Sequence, residues 1–479
     1  MTFRMSLVLI LTAVTAFSFA SEPSSSSVLA PETWVRHLTN DIAPFWTSPD
    51  AMGSPRGNFP TLRKNDGTPA VRTDRRPRMM GRQIYACSAA YILTGEASYL
   101  EAADDGLRFL LAHARDSRKG GWQTLLDKDG NPKGNDYRYS QDAAYAAMGP
   151  AVYYFVTRDP AARETLVSNR NEIFNPRLFW DETNRRVRNA ILPSMDGEAP
   201  AGKDNGWELV SQLDQVNGWL LLTQPVMGGD DSARFGSDIR TLLAVITNRF
   251  WKDGLFYGRS SQLGNLDAPN TDFGHVLKTY WMLLLAGSRL GDAGFTAFAL
   301  SNAPYWLSQA YDRDNGRWAL KMEGSNSVRY GSSWWIYAEC DQIAATFALQ
   351  RLWTRKDLAT TASNWLADYV DRPYGEVFRG IDRSGNPDRG LYSNELAKCN
   401  EWKNGFHSSE HALVLYIASS ALAGKPVALY FAVPPDDVKT FTAKPYLFEG
   451  DEISREDLGG IAVGGRQLHR VRVTFDHIR

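Results

Sequence analysis

The sequence predicts an all-α fold: an (α/α)6 barrel with short β-hairpins between its helices and a small β-rich C-terminal appendage. Three observations carry this. A glycine-centred hairpin motif recurs along the chain, two kinds of helical segment alternate between its copies, and polar residues of one kind gather at the helix starts.

The repeat is clearest in three places. Gly57-Asn58-Phe59 is followed by Asn65-Asp66-Gly67, Gly120-Gly121-Trp122 by Asp129-Gly130-Asn131, and Gly375-Glu376-Val377-Phe378 by Asp382-Arg383-Ser384-Gly385. Each reads as a short strand, an Asp/Asn-Gly turn and a return strand. Weaker copies stand at Trp180-Asp181, Asp253-Gly254 and Asn315-Gly316, giving roughly six units with a period of about 60–70 residues.

Between the hairpins, segments near 31–46, 97–114, 158–173, 231–250, 292–311 and 356–370 are amphipathic. Leu100, Ala103, Leu107 and Leu110, for example, share one face. Segments near 80–94, 138–156, 207–223, 272–289, 333–352 and 406–423 are apolar nearly all round, as in Tyr280-Trp281-Met282-Leu283-Leu284-Leu285. A helix without a polar face must be buried. Alternating half-exposed and buried helices therefore close into two layers, the inner ring parallel with its N-termini at one mouth. From about residue 425 the pattern changes: Val427 to Val433 and Arg470 to Phe475 are β-rich.

The expected organisation is a signal peptide at 1–20, a Ser-rich linker at 21–30, the barrel at 31–424 and the β-rich extension at 425–479. Arg4, an apolar run from Met5 to Phe17 and Ser18-Phe19-Ala20 resemble a secretory leader cleaved before Ser21, which predicts a periplasmic or secreted protein. No later segment has the length and apolarity of a membrane span. With 53 Lys plus Arg against 54 Asp plus Glu, nothing electrostatic points to nucleic acid or an anionic membrane. Cys87, Cys340 and Cys399 form no ligand pattern and leave an odd, buried thiol. The 15 Trp, 20 Tyr and 22 Phe suit either sugar stacking or a bulky helical core.

Buried helices should carry few polar groups. Those present fall in the first turns of the inner set: Arg82 and Gln83, Gln141 and Asp142, Asp214 and Asn217, Asp272 and His275, Glu339 and Asp341, His407 and Glu410. Of seven histidines, His37 and His113 lie on outer segments, where they are expected to face solvent. His469 and His477 are in the tail, and only His275 and His407, with His411 a turn later, start inner helices. Two imidazoles facing one cavity can take a proton from one side of a carbon and return it to the other. Their spacing does not suit a metal site.

Several of these residues also resemble a known family. Gly81-Arg82-Gln83-Ile84-Tyr85, Gly274-His275, Trp334-Trp335-Ile336-Tyr337-Ala338-Glu339 and Glu401-Trp402-Lys403-Asn404-Gly405-Phe406-His407 are similar to motifs of the N-acylglucosamine 2-epimerase superfamily, in a form closest to cellobiose 2-epimerases. The resemblance covers roughly residues 31–423. It implies a sugar 2-epimerase or aldose–ketose isomerase acting through a cis-enediolate, without a cofactor or metal. The substrate would be a small sugar or short oligosaccharide, and a homodimer is one assembly open to it. His275 and His407 would be the acid–base pair, Arg82 the clamp on sugar oxygens, Trp335 and Trp402 stacking walls, and Glu339 a ligand of hydroxyls or an orienter of an imidazole. Three positions depart from the family and are expected at the substrate: Lys278 replaces a glutamate, Glu410 an arginine, and Asn217 a histidine. The first two changes predict a compensating Lys278–Glu410 ion pair; alternatively, His275 loses its orienter. Two other readings stay open. One is a glycoside hydrolase or polysaccharide lyase using carboxylates among Asp142, Asp272, Glu339 and Asp341, and the other is a non-catalytic sugar-binding protein.

Overall fold

The computed structural model describes residues 28–134, 136–200, 206–387 and 396–479. The leader expected at 1–20 and most of the linker lie outside the described residues. Among the described residues, twelve long helical segments follow in chain order: α1 (31–47), α2 (Pro77–Thr94), α3 (Ala97–Ala114), α4 (Ser140–Thr157), α5 (Pro160–Ile173) and α6 (209–223). After them come α7 (Gly229–Arg249), α8 (Phe273–Leu290), α9 (Ala293–Ala310), α10 (Trp334–Leu349), α11 (355–369) and α12 (Phe406–Leu422). The even-numbered helices form the inner ring and α12 packs back on α2 to close it, while the odd-numbered ones wrap outside. This is an (α/α)6 barrel.

Local chemistry explains most boundaries. Pro31, Pro77 and Pro160 stand in first turns, where a missing N–H costs nothing. Asp159, Asp272, Asp292 and Thr354 cap α5, α8, α9 and α11 by accepting first-turn backbone N–H groups. Gly95 and Gly291 end α2 and α8 in the left-handed region. The inner helices are buried all round: in α2 every residue from Pro77 to Leu93 is inside. The outer helix α7 buries one stripe, including Phe235, Ile239, Leu242 and Ile246.

The hairpin motifs are present as two-residue ladders or single bridges. Trp180–Asp181 pairs with Arg186–Val187, Trp251–Lys252 with Leu255–Phe256, and Tyr311–Asp312 with Arg317–Trp318. Single bridges join Arg63 to Pro69, Leu126 to Pro132 and Ile381 to Pro387.

The extension is an antiparallel sheet of β1 (Val427–Val433), β2 (Asp451–Val463) and β3 (Arg466–Asp476), in the order β1-β3-β2. β1 lies against α2 and α4; Tyr91 Oη donates to the Phe431 carbonyl at 3.1 Å. The segment between β1 and β2 runs beneath the C-terminal ends of the inner helices and buries Tyr446, Leu447 and Phe448. Arg289, at the end of α8, clasps it there. Its guanidinium pairs with Glu449 at 2.7 Å and donates to the carbonyls of Tyr446 at 2.8 Å and of Leu221, in α6, at 2.6 Å. The three cysteines are buried and free. Among the described residues, no helix is long and apolar enough to cross a membrane.

The α2–α4 seam is the tightest inner contact. A Cβ on Gly81 would meet the Tyr145 carbonyl oxygen at 2.2 Å, and one on Gly149 would meet the Gly81 Cα at 3.0 Å. Gly81→Ala must therefore push the two helices apart. It is expected to cost about 1–3 kcal/mol, as overpacked cores do, and to lower the midpoint of urea or thermal unfolding. A wild-type midpoint would contradict this account of the seam.

Candidate active site

At the mouth, α8 begins Asp272-Phe273-Gly274-His275, and one carboxylate serves two purposes. Asp272 Oδ1 accepts the His275 backbone N–H at 2.9 Å, as a helix cap does. Its Oδ2 lies 2.8 Å from Nδ1 of the His275 ring. The cap thus fixes the imidazole, and an Nδ1–H directed at a carboxylate leaves Nε2 as the basic nitrogen. Asp272 orients this ring, with Lys278 in place of the glutamate that the resemblance implies.

His407, in the first turn of α12, sits differently. Its Nδ1 is buried and makes no hydrogen bond; its nearest polar neighbours are Glu410 Oε2 at 3.4 Å and Glu339 Oε1 at 3.6 Å. Burial, together with the positive charges of Lys278, Arg82 and Lys403, holds this imidazole well below the ordinary histidine range. His407 is therefore neutral at pH 7. The half-buried Trp335 ring links the pair, 4.7 Å from the His275 ring and 6.1 Å from that of His407.

Beneath them Lys278 is buried between Asp214 at 3.3 Å and Glu339 at 3.6 Å. Burial alone would lower its pKa, but Tyr145, Asp214, Glu339 and Glu410 around it raise it, so the ammonium persists. Asp214 also accepts from Gln141 at 2.8 Å, and these partners hold its carboxyl below the usual range despite its burial. Glu339 Oε2 accepts the Trp281 Nε1–H at 2.8 Å. Burial and then Glu339 push the Glu410 carboxyl up to about 8. Glu339, His407 and Glu410 have ligand-type atoms within 4.8 Å of one another and could hold a cation, but the Lys278 ammonium already brings positive charge to Glu339.

Arg82 lies flat on Tyr145, 3.5 Å from the ring centroid, with a buried, unpaired Nε and a pKa lowered to about 10 by burial. Among the described residues it has no carboxylate within ion-pair distance. Asn217 is buried in a π-turn of α6 (Val216–Leu220), and neither its amide oxygen nor its nitrogen has a partner. Such turns recur at functional sites. At the rim Trp402 is half exposed, its ring 4.9 Å from the guanidinium of Arg78, which pairs with Asp142 at 2.7 Å.

Some sequence expectations need correction. Lys278 and Glu410 form no ion pair: the lysine ammonium is met by Asp214 and Glu339, and Glu410 accepts a 2.7 Å hydrogen bond from Tyr446. His37 does not face solvent. It is buried, accepts from Trp365 Nε1 at 3.0 Å and pairs with Asp41 at 2.8 Å. His113 is half-buried and stacked on Phe109. Gln83, Asp341 and His411 turn away from the cavity. Gln83 donates to the carbonyls of Trp46 and Ala51, and Asp341 binds His411, Trp318 and Thr361 between the helical layers. Four residues at the site were not singled out. Arg78 had a signal, one turn before Arg82 on the same helix face. Tyr145 and Trp281 resemble ordinary core aromatics, and Tyr446 lies in another region altogether.

A model of the family described as N-acylglucosamine 2-epimerase (GlcNAc 2-epimerase) matches residues 57–195. A cellobiose 2-epimerase of Bacteroides fragilis is 23% identical over 414 residues, 79% of this chain and 97% of that protein. The structure of a cellobiose 2-epimerase from Bacillus thermoamylovorans superposes with a TM-score of 0.68 at 17% identity, over 81% of this chain and 98% of the other. That of a D-mannose isomerase does so with a TM-score of 0.64 at 16% identity, over 83% and 99%. The structural likenesses establish the shared fold. The family match over residues 57–195 and the full-length relative add a likeness in sequence to N-acylglucosamine 2-epimerases and cellobiose 2-epimerases.

Proposed function

We propose that this protein is a carbohydrate 2-epimerase or aldose–ketose isomerase acting on the open-chain form of a reducing sugar through a cis-enediolate. The observation that carries the reading is the pair His275 and His407, both packed against the Trp335 ring at the starts of two inner helices. The C2–H of an open-chain aldose is acidified by the adjacent carbonyl. One imidazole removes that proton, and the other delivers a proton to the opposite face of C2 for epimerisation. Delivery to C1 instead gives the ketose. The chemistry calls for no cofactor.

The rest of the site fits these steps. Arg82, a buried cation without a carboxylate partner, suits the charge that develops on O1 and O2, where a desolvated donor is most effective. The free amide of Asn217 offers a donor and an acceptor to sugar hydroxyls. Trp335 and Trp402 present faces on which a pyranose or an open-chain sugar can lie. A hydrolase or lyase reading fits less well, because Asp142 is engaged by Arg78, Asp272 by His275, and Asp341 points out of the cavity. The leader-like N-terminus supports a further proposal, export with Ser21 as the first residue of the mature chain, which intact mass after secretion would verify.

Two measurements test the reading. Proton NMR in heavy water with glucose, mannose, N-acetylglucosamine, N-acetylmannosamine, cellobiose and mannobiose is expected to show loss of the C2 proton from at least one sugar. His407→Ala should abolish its conversion. No exchange with any of them would refute the enediolate mechanism. Asp272→Asn, which keeps the cap but removes the carboxylate from Nδ1, is expected to lower kcat by about 100-fold or more, in the range of general-base catalysis, with little change in KM. Unchanged kcat would exclude His275 as the base.

A further inference from the structure

The C-terminal extension lies outside the region of family resemblance, yet it reaches the site. Tyr446 enters the barrel from the closed end and is buried. Its hydroxyl donates to Glu410 Oε1 at 2.7 Å, so in its short contact with Tyr85 it is the acceptor. The Arg289 clasp on the Tyr446 and Phe448 carbonyls and on Glu449 holds the segment there. Glu410 is thus gripped from below by one oxygen and turns the other toward Nδ1 of His407 at 3.4 Å.

The two histidines consequently differ behind the ring. His275 has a carboxylate that also caps a helix and lies near solvent. His407 has two buried carboxyls, Glu339 and Glu410, close enough together that they cannot both ionise freely. The Lys278 ammonium stands against Glu339, not Glu410. A single shared proton therefore belongs on Glu410.

We infer that Glu410, fixed by Tyr446 of the extension, is the proton store behind His407, so that the extension completes the acid half of the site. The inference rests on the enediolate reading given above. In the delivering step the O–H bond of Glu410 breaks as an Nδ1–H bond forms on His407. The Nε2–H bond of His407 breaks as the new C–H bond forms on the enediolate carbon, whose electron pair it uses. Glu410 is left as a carboxylate and His407 neutral in its other tautomer; the reverse direction retraces these transfers, and water restores the starting protonation between turnovers. Glu410 is a positioning residue, acting on substrate only through His407. The groups facing it are Tyr446 and Tyr85 from below, Glu339 of α10, Lys278 of α8 and His407 of its own helix. With its carboxyl pushed up to about 8, the store is filled at pH 7 and empties above pH 8, so delivery through His407 falls on the alkaline side.

The test follows hydrogen exchange and product formation together in heavy water, with a sugar that the wild type converts. Glu410→Gln keeps the shape and accepts from Tyr446 but holds no transferable proton. It is expected to leave C2 exchange of the epimer that faces His275, to cut conversion by about 100-fold, and to remove the alkaline limb near pH 8. Tyr446→Phe deletes a hydrogen bond that favours the carboxylate, so its alkaline limb should move upward, with kcat lowered by about 10-fold and KM unchanged. Loss of exchange and conversion in equal measure, wild-type conversion in Glu410→Gln, or an alkaline limb that survives in Glu410→Gln each overturns the inference alone. Absence of exchange in the wild-type protein with every sugar overturns the enediolate reading and this inference with it.

Discussion

A lysine ammonium cannot stay charged inside a protein unless opposite charge is buried with it, and the floor of this barrel is organised around that requirement. Lys278 is enclosed, and Asp214 and Glu339 come from the two neighbouring inner helices to meet it. From the burial of that cation the protonation states around it follow. Asp214 is held below the usual carboxylate range, and in the proton store inferred above the negative charge rests on Glu339, beside the ammonium, while Glu410 keeps its proton. His407, surrounded by positive charge and removed from water, stays neutral. Removing any one of these groups leaves another buried and uncompensated, so the cluster acts as a unit.

The barrel was readable in the chain because its signals are local and repeated. Asp/Asn-Gly turns mark each hairpin, and the contrast between half-apolar and fully apolar helices separates the layers. His275, His407 and Arg82 were readable because such residues are conspicuous in helices that otherwise have no polar side. The pairings were not. Whether Lys278 meets Glu410, Glu339 or Asp214 depends on rotations and side-chain reach that no one-dimensional spacing encodes, and the expected Lys278–Glu410 bridge gave way to nearer partners. His37 misled for a related reason. An outer helix has an inward face too, and Trp365 satisfies the ring there. Tyr446 carried no signal, since an aromatic residue in a loop between strands is common and its target is remote in sequence.

Position on an inner helix does not by itself make a polar residue part of the site. Asp341 and His411 occupy the same level as Glu339 and His407 but are rotated outward, where they tie α10 and α12 to Trp318 and Thr361. The two faces of one helical turn thus divide the work. One face lines the cavity, where unpaired groups such as the Asn217 amide await a partner, and the other cements the layers through the Asp341 hydrogen bonds.

The Arg289 clasp has a consequence for how the molecule is made. It joins the ends of α6 and α8 to residues close to the C-terminus, and the tyrosine it anchors touches both the first inner helix and the last. A chain emerging from the ribosome can form its early helix pairs at once, but the ring closes only when α12 returns to α2, and its floor is sealed only after the extension has docked. The floor of the site therefore waits on the docking of the extension. A chain that stops short of its final strands would bring His275 and His407 together above an open floor, where water would reach the buried charges and weaken their coupling.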